Sequence, residues 1–130
     1  MVARITHVVI NTSDIKKSMT FYSKIFSFLG LKKVPNAPAY WNDMFSFWLH
    51  GRAKGRYVME KVGYHHIAIS ASSRKQVDDM QRLLDKNKFE TLYRAEEHPE
   101  YVPGYYSVSF KDPDGAVLEL LYLPKGKGHG

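Results

Sequence analysis

His65-His66-Ile67-Ala68-Ile69-Ser70-Ala71-Ser72-Ser73 is the stretch whose reading decides this fold. A histidine interrupts a β-like apolar run, and a serine-rich step then leads into helix-forming sequence. The same order occurs once more, at Ile5-Thr6-His7-Val8-Val9-Ile10, with Ser13 ahead of the next helical stretch. His7 and His66 hold matching places in two copies of one pattern, as do Ser13 and Ser72. A pattern repeated within one chain points to one structural unit used twice.

Outward from His7, the first copy reads as a strand at 4–11 and then a helix. Ser13 is the expected N-cap, with Asp14 placed to meet the positive end of the helix dipole. Ile15, Met19, Tyr22, Ile25, Phe26 and Leu29 recur at the helical period and form one apolar stripe. Gly30 is placed to supply a left-handed C-terminal cap. Short strands are expected at 31–35, 39–43 and 44–50, followed by a Gly-, Lys- and Arg-rich linker over 51–61.

Outward from His66, the second copy repeats the order. A strand is expected at 63–70, and Ser73 with Gln76 forms a capping-box pattern at the helix start. Val77, Met80, Leu83 and Leu84 carry the stripe, and Asn87 is a candidate C-cap. Strands follow at 89–95, 105–111 and 116–123. The last two are joined by Asp112-Pro113-Asp114-Gly115, a strong turn signal. The expected organisation is α+β: two βαβββ modules, at about 1–52 and 62–124, in a single domain over 1–124. A flexible tail is expected at 125–130, where His129 reads as a solvent-exposed side chain. A ferredoxin-like sandwich also contains βαβ units, but it does not account for the repeat.

The chain has 130 residues, 44% of them hydrophobic, enough for a real core. No apolar stretch approaches the ~20 residues needed to span a bilayer. There is no cysteine, so neither a disulfide nor a thiolate ligand is available. Together with the lack of a secretory signal pattern, this makes a cytoplasmic location the expectation. The net charge of +6 comes from scattered lysines and arginines rather than a concentrated stripe, so neither nucleic acid nor membrane is an expected partner.

Glu119 breaks a third apolar run, Ala116-Val117-Leu118-Glu119-Leu120-Leu121. A carboxylate in a buried strand carries a large desolvation cost unless it is hydrogen-bonded, paired or bound to a cation. Taken singly, a histidine in a strand is more often a hydrogen-bonded core residue than a ligand. A lone buried glutamate is more often paired with an arginine or a hydroxyl, and Arg4, Arg94 or Tyr106 are available. Two repeat-related histidines with one buried carboxylate are a different matter. His7, His66 and Glu119 together make a candidate metal site with open coordination positions.

With these residues the chain resembles the vicinal oxygen chelate superfamily, also called the glyoxalase/bleomycin-resistance/dioxygenase superfamily. The resemblance rests on Ile5 to Ile10 with Ser13-Asp14, Phe21-Tyr22 and Leu29-Gly30-Leu31. In the second half it rests on His65 to Ile69 and on Gly104-Tyr105-Tyr106 through Asp112-Pro113-Asp114-Gly115 to Leu118-Glu119-Leu120. It implies paired βαβββ modules in an open, curved mixed sheet around a metal cleft, with His7, His66 and Glu119 as metal ligands. It also implies a homodimer, since in short members the site is often completed by the first histidine of the partner subunit.

The resemblance narrows the activity by its departures. Glyoxalase I-type enzymes place a further glutamate where this chain has Trp48, and tryptophan cannot ligate a metal. Glu60 lies outside the equivalent strand and reads as a solvated linker residue. Trp48 at that place is similar to the fosfomycin-resistance thiol transferases. Their threonine and tyrosine, however, are Val9 and Ser109 here, and their C-terminal arginine falls in the glycine-rich tail. Extradiol dioxygenases carry a tyrosine that also maps near Ser109. Bleomycin-binding members lack the ligands and tend to be acidic, unlike this chain. The strongest likeness is to small bacterial members with a Gly-Tyr-Tyr strand.

Trp41, Trp48, Tyr101, Tyr105 and Tyr106 stand on or beside strands expected to border the cleft. Trp48 and Tyr106 are the candidate substrate contacts. His65 is expected on the opposite face from His66, bonded elsewhere, and His98 in a solvated loop. The favoured reading is a metal-dependent enzyme acting on a small oxygen-bearing substrate chelated to Fe, Mn, Ni or Zn, with no acid–base residue assigned. The alternative is a non-catalytic small-molecule binding or resistance protein on the same fold.

Overall fold

The structure is a computed structural model that describes residues 2–124; the tail at 125–130, with His129, lies outside the described residues. The chain divides into two compact units, Met1–Arg56 and Tyr57–Gly130. The boundary falls inside the linker expected from its glycines and basic residues. Each unit holds one helix and one open four-stranded mixed sheet, so the fold is α+β.

The first unit runs β1 (His7–Asn11), α1 (Ile15–Phe28), β2 (Lys32–Lys33), β3 (Ala39–Trp41) and β4 (Ser46–His50), with sheet order β1-β4-β3-β2. β1 and β4 are parallel; β4 with β3 and β3 with β2 are antiparallel. Alternation decides the faces. Phe47 and Leu49 of β4 and Ile10 of β1 are buried, while Val9, Trp48 and His50 are exposed. The buried face meets α1 through tilted aromatic rings. Phe47 lies 4.9 Å from Phe26 and 5.2 Å from Tyr22, and Tyr40 lies 5.2 Å from Phe26, centroid to centroid. Burying a side chain of this size contributes roughly 1.5–3 kcal/mol, more than any single cap. Tyr40 keeps its polar end satisfied through Ser23 Oγ at 2.7 Å.

The caps of α1 differ from expectation by one residue at its start. Asp14, not Ser13, is the N-cap: its backbone is extended and its carboxylate accepts from Lys17 N at 3.1 Å. At the other end Gly30 takes φ +82 as expected, and Leu31 N donates to Phe26 O at 2.8 Å while Gly30 N donates to Ser27 O. That pair of bonds is the Schellman closure, which needs a left-handed residue.

The second unit runs β5 (Ile67–Ser70), α2 (Arg74–Asn87), β6 (Thr91–Glu97), β7 (Tyr106–Lys111) and β8 (Val117–Tyr122), with sheet order β5-β8-β7-β6. The order matches that of the first unit strand for strand, with β5 parallel to β8 and the other pairs antiparallel. Ser73 caps α2 by accepting from Gln76 N at 3.0 Å, and Gln76 Oε1 reaches back to Ser72 N at 2.7 Å. Lys88, at φ 57, is the C-cap in place of Asn87, whose amide instead donates to Leu83 O. Val77, Met80 and Leu84 of the helix pack on the sheet face formed by Val108, Phe110, Leu118 and Leu120, all buried. The turn into β8 forms as read: Asp112 Oδ1 accepts from Asp114 N and Ala116 N, each at 2.9 Å. β5 is shorter than expected, so His65 and His66 stand just ahead of it. Among the described residues no helix is long and apolar enough to cross a membrane.

Candidate metal and substrate site

Glu119 lies at the middle of β8, opposite Ser109 of β7 and Ala68 of β5. These small neighbours leave room above the carboxylate, which is nonetheless buried, at 8% exposure. Its burial is compensated on both oxygens. Oε2 accepts from the Tyr105 hydroxyl at 2.8 Å, and Oε1 lies 3.2 Å from His66 Nε2. Burial, and then the hydrogen bond to Glu119 and its charge, push the Tyr105 hydroxyl well above the usual tyrosine range. It is therefore a permanent donor that fixes one carboxylate oxygen and leaves the other for His66.

His66 is held from its other side as well. Its Nδ1 lies 2.8 Å from His65 Nδ1, and His65 Nε2 lies 3.3 Å from Glu60 Oε1. The backbone here is pinned by the Tyr57 hydroxyl, which donates to His65 O at 2.8 Å. Proton positions are linked along this row of bonds. Carboxylate acceptors stand at both ends, Glu60 beside His65 and Glu119 beside His66, so donation can run in either direction through the Nδ1–Nδ1 contact. With donation running toward Glu60, His65 donates from Nε2 and His66 from Nδ1, which turns the lone pair of His66 Nε2 toward Glu119 Oε1. Two electron-rich atoms 3.2 Å apart need positive charge between them, a proton on Nε2 or a cation.

The spacing suits a cation. Nitrogen and oxygen ligands about 2.1 Å from one ion at right to tetrahedral angles stand roughly 3–3.4 Å apart. His66 and Glu119 fit as two adjacent ligands, and their chemistry, imidazole with carboxylate, suits Fe, Mn, Ni or Zn. Two ligands are not a closed site. Among the described residues no group of three His, Asp or Glu side chains is arranged to hold a metal ion.

His7 opens β1 in the first unit, where its backbone pairs with Ser46 of β4. Thr6 Oγ1 lies 3.0 Å from its Nδ1. Trp48 shares that sheet face, paired with Val9, and its indole nitrogen donates to Ser46 Oγ at 3.0 Å. Trp41 stands on the same face, with the Lys32 ammonium 5.4 Å from its ring. Val9, Trp41 and Trp48 are 55%, 39% and 37% exposed, so this face of the first unit carries uncovered aromatic and apolar surface around His7.

Tyr106 needs correction. It shares the helix face of β7 with Val108 and Phe110. Its hydroxyl bonds Asp78 of α2, and the Arg74 guanidinium sits 4.1 Å from its ring. Tyr105, its neighbour, is the tyrosine on the Glu119 side. The signal was in the alternation: β7 residues of the same parity as the buried Val108 and Phe110 cannot share a face with Glu119. His65 also departs from expectation, since it bonds His66 directly, and Glu60 joins it rather than standing apart. His98 is not a solvated loop residue either. Its side chain is 18% exposed, stacked at 5.5 Å on Tyr101 and edge-on at 5.9 Å to Tyr105, with Nδ1 3.1 Å from Glu100 Oε2. His98, Tyr101 and Tyr105 thus form an aromatic wall that reaches Glu119.

Residues 4–120 match the Glyoxalase/Bleomycin resistance protein/Dioxygenase superfamily, and the chain belongs to it. An uncharacterised protein of Bacillus subtilis, YqjT, is 28% identical, over 88% of this chain and 95% of its own length. A Bacillus halodurans structure whose glyoxalase assignment is itself provisional aligns with TM-score 0.77 at 22% identity, covering 92% of this chain and 95% of that one. A glyoxalase/dioxygenase from Nostoc punctiforme aligns with TM-score 0.73 at 20% identity, covering 94% and 92%. At such identities the structural likeness concerns the fold.

Proposed function

We propose that the protein is a metal-dependent enzyme acting on a small oxygen-bearing substrate. His66 and Glu119 would hold a divalent ion, and His7, from the same chain or the partner subunit of a homodimer, would complete the set. The observation that carries this reading is the 3.2 Å approach of His66 Nε2 to Glu119 Oε1, with no arginine or lysine among the described residues bonded to the carboxylate. When bound, the ion would supply Lewis acidity to vicinal substrate oxygens.

The chain's own residues have separate tasks. Tyr105 holds Glu119 in place through Oε2 and leaves Oε1 facing His66. The rings of His98, Tyr101 and Tyr105 form an aromatic cluster that reaches the carboxylate, and in the first unit Trp48 stands on the sheet face of His7. Aromatic surroundings of this kind favour a substrate with an apolar body and adjacent oxygens. The exposed Val9, Trp41 and Trp48 also favour a homodimer that covers part of that surface.

Metal analysis of tag-free protein tests the reading, with His66→Ala and Glu119→Ala alongside. Roughly one equivalent per chain in the parent and a clear loss in both variants is expected. Less than about a tenth of an equivalent in the parent, not restored by added Mn, Fe, Ni or Zn ions, overturns it in favour of a non-catalytic binding protein.

A further inference from the structure

We infer that His65, backed by Glu60, is a positioning residue that fixes the ring of His66 with Nδ1 protonated and Nε2 free to ligate. This rests on the metal reading above and names a residue that positions one of the ligands from outside the ligand set. Three bonds in series carry it. Glu60 Oε1 and His65 Nε2 are 3.3 Å apart, His65 Nδ1 and His66 Nδ1 are 2.8 Å apart, and His66 Nε2 and Glu119 Oε1 are 3.2 Å apart. Once His66 Nε2 gives its lone pair to an ion beside Glu119, its proton must sit on Nδ1 and be donated to His65, which in turn donates from Nε2 to Glu60. That direction of donation keeps the His66 lone pair on the Glu119 side, where a ligand nitrogen has to point.

The arrangement does for His66 what a carboxylate or backbone carbonyl does for other metal-bound histidines. It holds the ring plane and sets the tautomer of the metal-bound ring. Here the acceptor is a second imidazole, and the adjacent position in sequence keeps it within reach. The two rings meet at 74°, edge toward face, so the contact is a directed hydrogen bond and not a stack. The His65 carbonyl is tied down by Tyr57, which keeps the ring from swinging away with its backbone.

The test compares His65→Leu with His65→Asn. Asparagine places an amide oxygen where His65 Nδ1 stood and still accepts from His66; leucine cannot. Affinity for Mn2+ and Zn2+ is measured by titration calorimetry, and the visible spectrum of the Co2+ form reports ligand geometry. Thermal melts of the metal-free proteins confirm folding, which the half-exposed position of His65 favours. Expected is a loss of about tenfold or more in affinity for His65→Leu, with His65→Asn within about threefold of the parent. Equal loss in both variants, or none in either while the parent binds metal, overturns the role of His65 and leaves the metal reading standing. A parent that binds neither ion overturns both.

Discussion

Tyr105 donates its hydroxyl proton to Glu119 Oε2 over 2.8 Å, from the residue just ahead of β7 to the middle of β8. Both are buried, Tyr105 at 5% and Glu119 at 8% exposure. Tyr105→Phe therefore removes the hydroxyl donor to that oxygen while leaving the ring in place. An unsatisfied buried acceptor costs about 1–3 kcal/mol. Urea unfolding of the metal-free protein is expected to show a loss in that range. A difference below the error of the extrapolation would mean that water replaces the hydroxyl.

The same bond sets a pH dependence. Burial, together with Glu119, keeps Tyr105 protonated in the folded chain well above its ordinary value of 10.0. In the unfolded chain the hydroxyl ionises near that value, so above it the unfolded state binds fewer protons. Stability is then whole below about pH 10 and declines as pH rises further. Tyr64, pushed up to about 12 by burial and then by Tyr57 and Asp112, declines in the same window. The urea midpoint of the parent is expected to fall between pH 9.5 and about 11. In Tyr105→Phe it falls less steeply, with the Tyr64 share remaining. Equal slopes would remove Tyr105 from the account.

Much of this could be read from the chain because the repeat carries its own punctuation. The helix stripes, Gly30, the Ser73–Gln76 box and the Asp112–Gly115 turn act within a few residues of each other, and local chemistry decides them. The strand order follows from using one pattern twice. What could not be read depends on contacts between elements. Tyr105 and Tyr106 look alike in sequence, and only the pairing of Ser109 with Glu119 fixes which one meets the carboxylate. A strand from 63 would put His65 and His66 on opposite faces, but β5 begins only at Ile67. Outside a strand, adjacent side chains need not point to opposite faces, and His65 and His66 meet. Asp14 outcompeted Ser13 as cap through a one-residue shift that propensity does not resolve.

The assignment of faces makes Tyr106→Phe the counterpart of Tyr105→Phe. Tyr106 loses one partly buried bond to Asp78, and its ring stays beneath Arg74. A cost of about 0.5–1.5 kcal/mol is expected. Metal content and affinity should match the parent, measured as for the His65 variants. A loss of metal in Tyr106→Phe comparable to that in Glu119→Ala would place Tyr106 at the site after all.

Gly104 connects the aromatic wall to the end of the described chain. At φ +86 it occupies the left-handed region, and a Cβ there would lie 2.5 Å from Pro124 Cγ and 3.1 Å from Cδ. Gly30 has nearly the same φ, +82, with nothing within 4 Å of an added Cβ. Gly30→Ala therefore bears only the backbone penalty, about 1–2 kcal/mol. Gly104→Ala bears that penalty and a clash with a proline ring that has little freedom to turn aside. We expect it to lose at least about 1 kcal/mol more than Gly30→Ala, in the range for overpacking. Because residue 104 precedes Tyr105, the displacement should also weaken the Glu119 bond and reduce metal affinity. Replacing the ring relieves the clash, so Gly104→Ala with Pro124→Ala should return toward the stability of Gly30→Ala. That recovery would appear as a favourable coupling energy in a double-mutant cycle by urea unfolding. Strict additivity of the two substitutions would show that the Pro124 ring does not press on this turn.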